Sequence, residues 1–349
     1  MNINNKTTHK IFYKDARKMD YIKSKSVDFV LTSPPYPMIK MWDDIFCKQN
    51  KVIKKYLKNG DGKMAFELMH KELDKVWKES YRVLKNGGIA CINIGDATRT
   101  IDENFVLYPN CSRITDYCFS LGFDVLPSLI WRKQTNSPTK FMGSGMLPVG
   151  AYVTLEHEYI LILRKNGKRR FIKDGEKSLR RESSFFWEER NKWFSDVWFD
   201  IKGKKQRLFD KKVRERSAAF PFELAYRLIN MYSVKNDIVL DPFVGTGTTS
   251  AAAIVAERNS IGIEVDKFFR NTIEEYLKSL NSFSGKVIDK RIKEHNEFIS
   301  KRKRQHKQIK YQNDNYCFPV VTKSEKKIKF RKLLNIKKIN DIFCAEYDN

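Results

Sequence analysis

Apolar positions along the chain fall into short runs, and the runs are β-branched. SVDFVLT (26–32), GIACINIG (88–95), FDVLPSLIW (123–131), EYILIL (158–163), DIVL (237–240) and SIGIEV (260–265) are apolar stretches followed by turn residues. That is the pattern of strands buried in a parallel sheet. Between some of them the spacing changes. Leu68, Leu73, Val76, Trp77 and Leu84 lie roughly on one face of a helix over 67–85, with Gly87 and Gly88 as its stop. Pro221 opens a second helix over 221–232, with Leu224, Leu228, Ile229 and Tyr232 at helical spacing. Strands alternating with helices predict an α/β fold: an open, mostly parallel, Rossmann-like sheet with helices on both faces.

Two stretches break this rhythm. In residues 164–216 and again in 281–349, Lys and Arg outnumber Asp and Glu by more than two to one. The first also carries Phe185, Phe186, Trp187, Trp193, Phe194, Trp198 and Phe199, too many aromatics for a linker, so a small basic insert is expected there. The second includes KRKR at 301–304 and reads as a helical basic extension or a partly disordered tail. The expected division is therefore 1–165, 166–215, 216–280 and 281–349.

Charge narrows the function. With 67 Lys and Arg against 42 Asp and Glu, the net charge is +25, which points to a polyanionic partner, most simply nucleic acid. No apolar run reaches the ~18 residues of a membrane span. The start, MNINNKTTHK, has no apolar signal region. The six Cys form no CxxC pair, which argues against a zinc site or a disulfide framework and fits a reducing, cytoplasmic home.

Candidate chemistry sits in two segments. Residues 237–266 read strand, glycine turn, small-residue helix, strand. Gly245 and Gly247 allow a tight turn and close approach of a ligand, and Glu264 stands where an acid grips ribose hydroxyls. Ser250 replaces the third glycine of a dinucleotide fingerprint, and no Lys follows Gly247 as a phosphate loop requires. A ligand with ribose and adenine but no phosphates fits better: S-adenosylmethionine. The other segment, Thr32-Ser33-Pro34-Pro35-Tyr36-Pro37, follows a buried strand, and its prolines make it rigid. The Ser33 hydroxyl and the Pro34 carbonyl can accept hydrogen bonds from an exocyclic amine, and Tyr36 offers a ring face for stacking.

TSPPY and DPFVGTGTT together resemble the catalytic and cofactor motifs of the amino-methylating DNA methyltransferases, in the order of the permuted beta group. The likeness extends over about 11–275 through NGGIACINIGD (86–96), LIWRKQTNSPTK (129–140), EHEYILILRK (156–165) and FPFELAYRLI (220–229). It implies a catalytic set of Ser33, Pro34, Pro35 and Tyr36. It implies a cofactor set of Asp15, Thr32, Asp241, Pro242, Phe243, Gly245, Gly247, Thr248, Thr249 and Glu264, and no metal. It makes 1–165 and 216–280 the catalytic and cofactor parts of one methyltransferase domain, and 166–215 the target-recognition insert. The partner implied is double-stranded DNA with a short specific site, protected against a cognate restriction endonuclease. Arg216-Ser217-Ala218-Ala219 departs from the family's His-x-Ala-x entry to the 220s helix.

Ser at 33 leans toward cytosine N4, with adenine N6 as the alternative. A DNA-binding protein that keeps the fold without catalysis is the alternative from another class. Methylation at cytosine C5 is excluded, because that family uses Pro-Cys and no Cys here follows a Pro. TSPPYPMIKMWDDIF is similar to members acting on short palindromes, CTAG among them. Trp42, Asp43 and Asp44 read as a pocket lid or as the start of a helix, His157 between Glu156 and Glu158 as a strand opening in preference to acid–base chemistry, and 134–150 as a DNA-side loop.

Overall fold

The computed structural model describes residues 5–133, 142–203 and 219–348. One ten-stranded sheet organises them. In chain order its strands are β1 Lys6–Phe12, β2 Val27–Thr32, β3 Leu84–Ile94, β4 Phe123–Arg132, β5 His157–Lys165, β6 Val197–Trp198, β7 Ile238–Asp241, β8 Asn259–Ile263, β9 Leu333–Ile339 and β10 Ile342–Tyr347. In space they lie β6-β4-β5-β3-β2-β7-β8-β1-β10-β9. The centre, β3-β2-β7-β8-β1, is parallel throughout. β5 and β10 run against it.

Alternation along the buried strands builds two cores. Phe29, Leu31, Ile160, Ile162 and Val239 face one, with α7 (Phe222–Tyr232), α8 (Thr248–Val255) and α9 (Arg270–Arg304) packed on it. Val30, Ile92, Leu161 and Leu240 face the other, covered by α3 (Gly62–Val83) and α4 (Asn110–Ser120). Two further short helices, α1 (Asp43–Gln49) and α2 (Lys51–Lys58), lead into α3, while α5 (Asp174–Glu182) and α6 (Trp187–Trp193) lie in the expected insert.

This topology positions the site. β2 and β7 are parallel neighbours, with Phe29 beside Val239 and Val30 beside Leu240. After β2 the chain turns to β3 on one side; after β7 it turns to β8 on the other. In an open α/β sheet the crevice outside the carboxyl ends at such a reversal is where ligands bind. The TSPPY and glycine loops leave from these two strands.

Several expectations change in detail. The first helix begins at Gly62, where the Asp61 side chain accepts from Met64 N, and ends at Val83. Gly87 and Gly88 fall inside β3, not beyond a helix. Gly87 has a φ of +77°, and the β2–β3 register shifts between Val27 and Phe29, so the pair marks an irregularity in the ladder. EYILIL is buried as expected but runs antiparallel. β1 carries no apolar run, because Thr7 and His9 occupy its inward positions. They are satisfied there by Tyr347 Oη (2.7 Å) and Ser260 Oγ (2.8 Å) respectively.

The expected boundary at 280/281 falls inside α9, and residues 333–347 join the central sheet, so this part is neither a separate extension nor a tail. Tyr347 Oη also donates to the Ile254 carbonyl at 2.8 Å, tying the last strand to α8. The expected insert is likewise built into its surroundings. Val197 and Trp198 pair with Ile130 and Trp131 of the sheet. Phe186 stacks on His295 of α9 at 3.9 Å between ring centres, and Glu189 binds Arg291 of α9 through both oxygens at 2.6 and 2.7 Å. Phe186, Trp193 and Trp198 are buried, so much of the aromatic signal was core. No described helix is long and apolar enough to cross a membrane.

Candidate active site

Thr32 is fully buried and does not reach the crevice. Its Oγ1 donates to Asp241 Oδ1 at 2.6 Å. Asp241 Oδ1 also accepts from Phe243 N (3.0 Å), and Oδ2 from Thr249 Oγ1 (2.5 Å). One carboxyl group thus clamps the TSPPY loop to the glycine loop. Burial pushes it up to about 6, against the pull of the hydroxyls.

The clamp sets both loops around a cavity of about 630 Å3, within the size range of small-ligand sites. Ser33, Pro34 and Pro35 line it from β2; Pro242, Phe243, Gly245, Thr248 and Thr249 from β7 and α8; Asp15 from the loop after β1; Glu264 from the end of β8. Asp241 also reaches the wall. Of the expected site residues, Thr32, Tyr36 and Gly247 do not line it. Gly247 caps α8 at a φ of +90°, where a Cβ would press on Ile273 Cγ2 at 3.3 Å. At Gly245, φ +51°, a Cβ would meet only the Phe243 carbonyl at 3.9 Å, so the space before it is open.

Two of the expected carboxyl groups stand on this wall, each tied to neighbouring donors. Glu264 accepts from Gly245 N at 3.0 Å and Asp266 N at 2.9 Å, yet burial pushes its carboxyl up to about 7. Asp15 is held by Arg17, whose Nη1 also reaches Glu72 at 2.5 Å. Burial raises the Asp15 carboxyl, but the Arg17 hydrogen bonds and charge prevail and hold it below the usual range. Phe243, Val265 and Phe269 supply apolar wall. Open space at Gly245, an acceptor at Glu264 and flat apolar walls fit S-adenosylmethionine. Trp42 and Asp44 line the cavity as well; Asp43 pairs with Arg99 at 2.8 Å, and the acidic pair opens α1, so both readings of this segment hold in part.

Tyr36 stands behind the cavity wall, its ring against Gly95, where a Cβ would come to 3.1 Å. Its hydroxyl donates to Glu158 Oε2 at 2.9 Å and accepts from Ser33 Oγ (3.1 Å) and Asn93 Nδ2 (2.8 Å). Lys133 Nζ reaches Glu158 Oε1 at 2.6 Å. Asn93 and Lys133 were not singled out from sequence, and Glu158 only as a neighbour of His157. The available signal was one polar residue inside each of two apolar runs, INIG and EYILIL. His157 opens β5, as read. Of the expected loop 134–150, residues 134–141 lie outside the described residues, as do 216–218, while Met142 and Gly143 pair with Tyr152 and Ala151.

A family model described as DNA methylase matches residues 27–275. The Type II methyltransferase M.MthZI of Methanothermobacter thermautotrophicus is 52% identical over 337 residues, covering 96% of this chain and 94% of its own. The Type II methyltransferase M.MjaI of Methanocaldococcus jannaschii is 50% identical over 289 residues, covering 79% and 93%. A Thermus thermophilus protein assigned as a DNA modification methylase was solved with S-adenosyl-L-methionine. It matches with a TM-score of 0.60 and 31% identity, over 77% of this chain and 93% of that one. The cytosine-N4-specific PvuII DNA methyltransferase shares the fold, with a TM-score of 0.52 and 15% identity over 81% of this chain and 91% of that one.

Proposed function

This chain belongs to the N6/N4 DNA methylase family, and we propose that the atom it methylates is N4 of cytosine. It is an S-adenosylmethionine-dependent DNA methyltransferase of restriction–modification type. The observation that supports transfer to an exocyclic amine is the shared cavity, with Ser33 and Pro34 on one wall and Gly245 and Glu264 on the other; the choice of cytosine rests on Ser33.

The bound cofactor supplies an electrophilic methyl group. The chain supplies position. Glu264 and Asp15 are assigned to the ribose and adenine, and Gly245 to close backbone approach. An exocyclic amine is a weak nucleophile because its lone pair is delocalised into the ring. Hydrogen bonds from that amine to Ser33 Oγ and the Pro34 carbonyl favour a tetrahedral nitrogen with a localised lone pair. Holding it in line is worth several kcal/mol of barrier. The target base has to leave the duplex at a cost of a few kcal/mol; Tyr36, expected from the sequence to stack on it, lies behind the wall and acts instead through its hydroxyl on Ser33. Ser33 favours cytosine, since a hydroxyl stands where adenine enzymes more often carry Asp or Asn. The segment from Asp174 to Trp198, with α9 behind it, is assigned to target recognition. A short palindrome such as CTAG is the proposed site. Sequencing DNA from cells that express the protein, by a method that maps modified bases, tests base and context together. N4-methylcytosine at one short motif is expected; N6-methyladenine overturns the cytosine assignment.

Two further results are expected. DNA affinity falls about 1,000-fold or more between 50 and 200 mM salt, as for a protein neutralising several phosphates; a flat response in a binding titration contradicts a DNA role for the +25 charge. Cofactor affinity rises with pH through about 7, where buried Glu264 ionises to accept ribose hydroxyls. The sign for stability is opposite. Its folded value lies above the ordinary 4.5, so the ligand-free protein loses this contribution as pH rises from 4.5 to about 7. Calorimetric titrations from pH 6 to 8 check the first effect, and Glu264→Gln should flatten it.

A further inference from the structure

Four side chains from four elements meet behind Ser33, and their protons all run one way. Ser33 Oγ donates to Tyr36 Oη, and Tyr36 Oη donates to Glu158 Oε2. Asn93 Nδ2 donates to Tyr36 Oη at 2.8 Å and to Glu158 Oε2 at 2.7 Å. Lys133 Nζ takes the other oxygen of Glu158. A carboxylate only accepts, so it dictates the direction of everything joined to it. The Tyr36 proton goes to Glu158. Burial, with the charge of Glu158 beside it, holds that phenol well above its usual range, so Tyr36 stays a donor. Its two lone pairs are filled by Asn93 and Ser33. The single proton of Ser33 is thereby committed away from the cavity.

Asn93 shows which partner dominates. It is buried, and its Oδ1 has no partner among the described residues. Turning the amide round would set that oxygen against the carboxylate of Glu158. The amide keeps its donor on Glu158 and leaves its own acceptor unsatisfied.

We infer that Glu158, acting through Tyr36, fixes Ser33 as an acceptor only, so that the site takes a base edge bearing an amine and rejects one bearing a carbonyl. This rests on the assignment of Ser33 as the base-contacting residue. An amine N–H meets a Ser33 lone pair and is held. A carbonyl oxygen in the same place meets lone pair against lone pair, which is selection by repulsion as well as attraction. Glu158 does not touch the base; it is a positioning residue.

Glu158→Gln keeps the shape and allows the chain to reverse. An amide N–H can donate to Tyr36, Tyr36 to Ser33, and Ser33 to a carbonyl. The test measures kcat on native duplex. It also measures binding of duplexes whose target base carries a carbonyl in place of the amine: uracil for cytosine, hypoxanthine for adenine. In Glu158→Gln, kcat is expected to fall about 10- to 100-fold, the weight of one hydrogen bond to a charged group. KM for the cofactor should stay within about twofold, and the preference for amine over carbonyl in binding should narrow about tenfold or more. Tyr36→Phe keeps the ring, cuts the chain and should narrow the preference equally, so it carries the test if Glu158→Gln does not fold. Combining the two should add nothing to either alone. An unchanged preference in these variants, or losses in kcat that multiply, overturns the inference. Wild-type protein that methylates no DNA would refute the functional assignment instead, while the binding preference still tests the chain.

Discussion

Replacing Ser33 and Tyr36 together by Ala is expected to abolish methyl transfer, by about a thousandfold or more in kcat, while DNA binding stays within about threefold of wild type. The size follows from what is removed. Losing one group placed to stabilise a transition state costs about 100- to 1,000-fold. Here the Ser33 acceptor goes, and so does the Tyr36 hydroxyl that holds it. The direction follows from the fold. Ser33 and Tyr36 lie on a short loop that also holds Pro34, Pro35 and Pro37, and the clamp from Thr32 to Asp241 uses neither side chain. The glycine loop, Glu264 and the basic surface are left in place. Tritium transfer from labelled cofactor and a gel-shift titration check the two halves. Retained turnover removes Ser33 and Tyr36 from the site, and lost DNA binding shows that the loop holds the duplex instead.

Glu257→Gln is expected to destabilise the protein by about 3–5 kcal/mol, the cost of leaving buried charge unpaired. Glu257 is buried after α8 and binds Lys235 Nζ at 2.6 Å, Arg331 Nη1 at 2.7 Å and Arg331 N at 3.1 Å. Both cations are themselves buried. With the carboxylate gone, Lys235 keeps only the Lys329 carbonyl and Arg331 only Glu182, at 3.4 Å, among the described residues. The midpoint of thermal unfolding should drop by roughly 4–7 °C. Arg331 stands just before β9, so the pair fastens the C-terminal strands to the cofactor half of the sheet. Methyl transfer below the melting range should be near normal, because Glu257 lies away from the cavity. An unchanged melting temperature would mean that the C-terminal segment is held by its strand pairing alone.

The residues whose chemistry demands a particular type were legible in the chain. Two prolines after a buried strand, and two glycines before a small-residue helix, can do little else, and they mark the ends of β2 and β7. Most of the apolar runs were legible because a strand buried on both faces is apolar at nearly every position; FDVLPSLIW was expected to be buried too, but β4 is an outer strand that leaves Val125 and Ile130 exposed. What stayed hidden obeys other rules. β1 buries Thr7 and His9, whose partners come from β8 and β10, so polarity looked like exposure. β9 and β10 join the edge of the sheet from a Lys-rich segment, and charge concealed their alternation. Phe186 and Trp193 pack against α9, about a hundred residues away, which no local pattern reports. Glu158 and Asn93 are single polar residues in apolar runs. Their meaning appears only when antiparallel β5 brings its first residues to the edge where β3 ends.

The account stands on methyl transfer to an exocyclic amine held at the junction of the β2 and β7 loops. Protein, isotope-labelled S-adenosylmethionine and duplex DNA carrying the mapped site can be incubated together. The DNA is then digested to nucleosides and the labelled product identified by mass and retention. All of the label is predicted on N4-methylcytosine. Label on carbon 5 of cytosine, or none in DNA with the cofactor bound, would contradict the account.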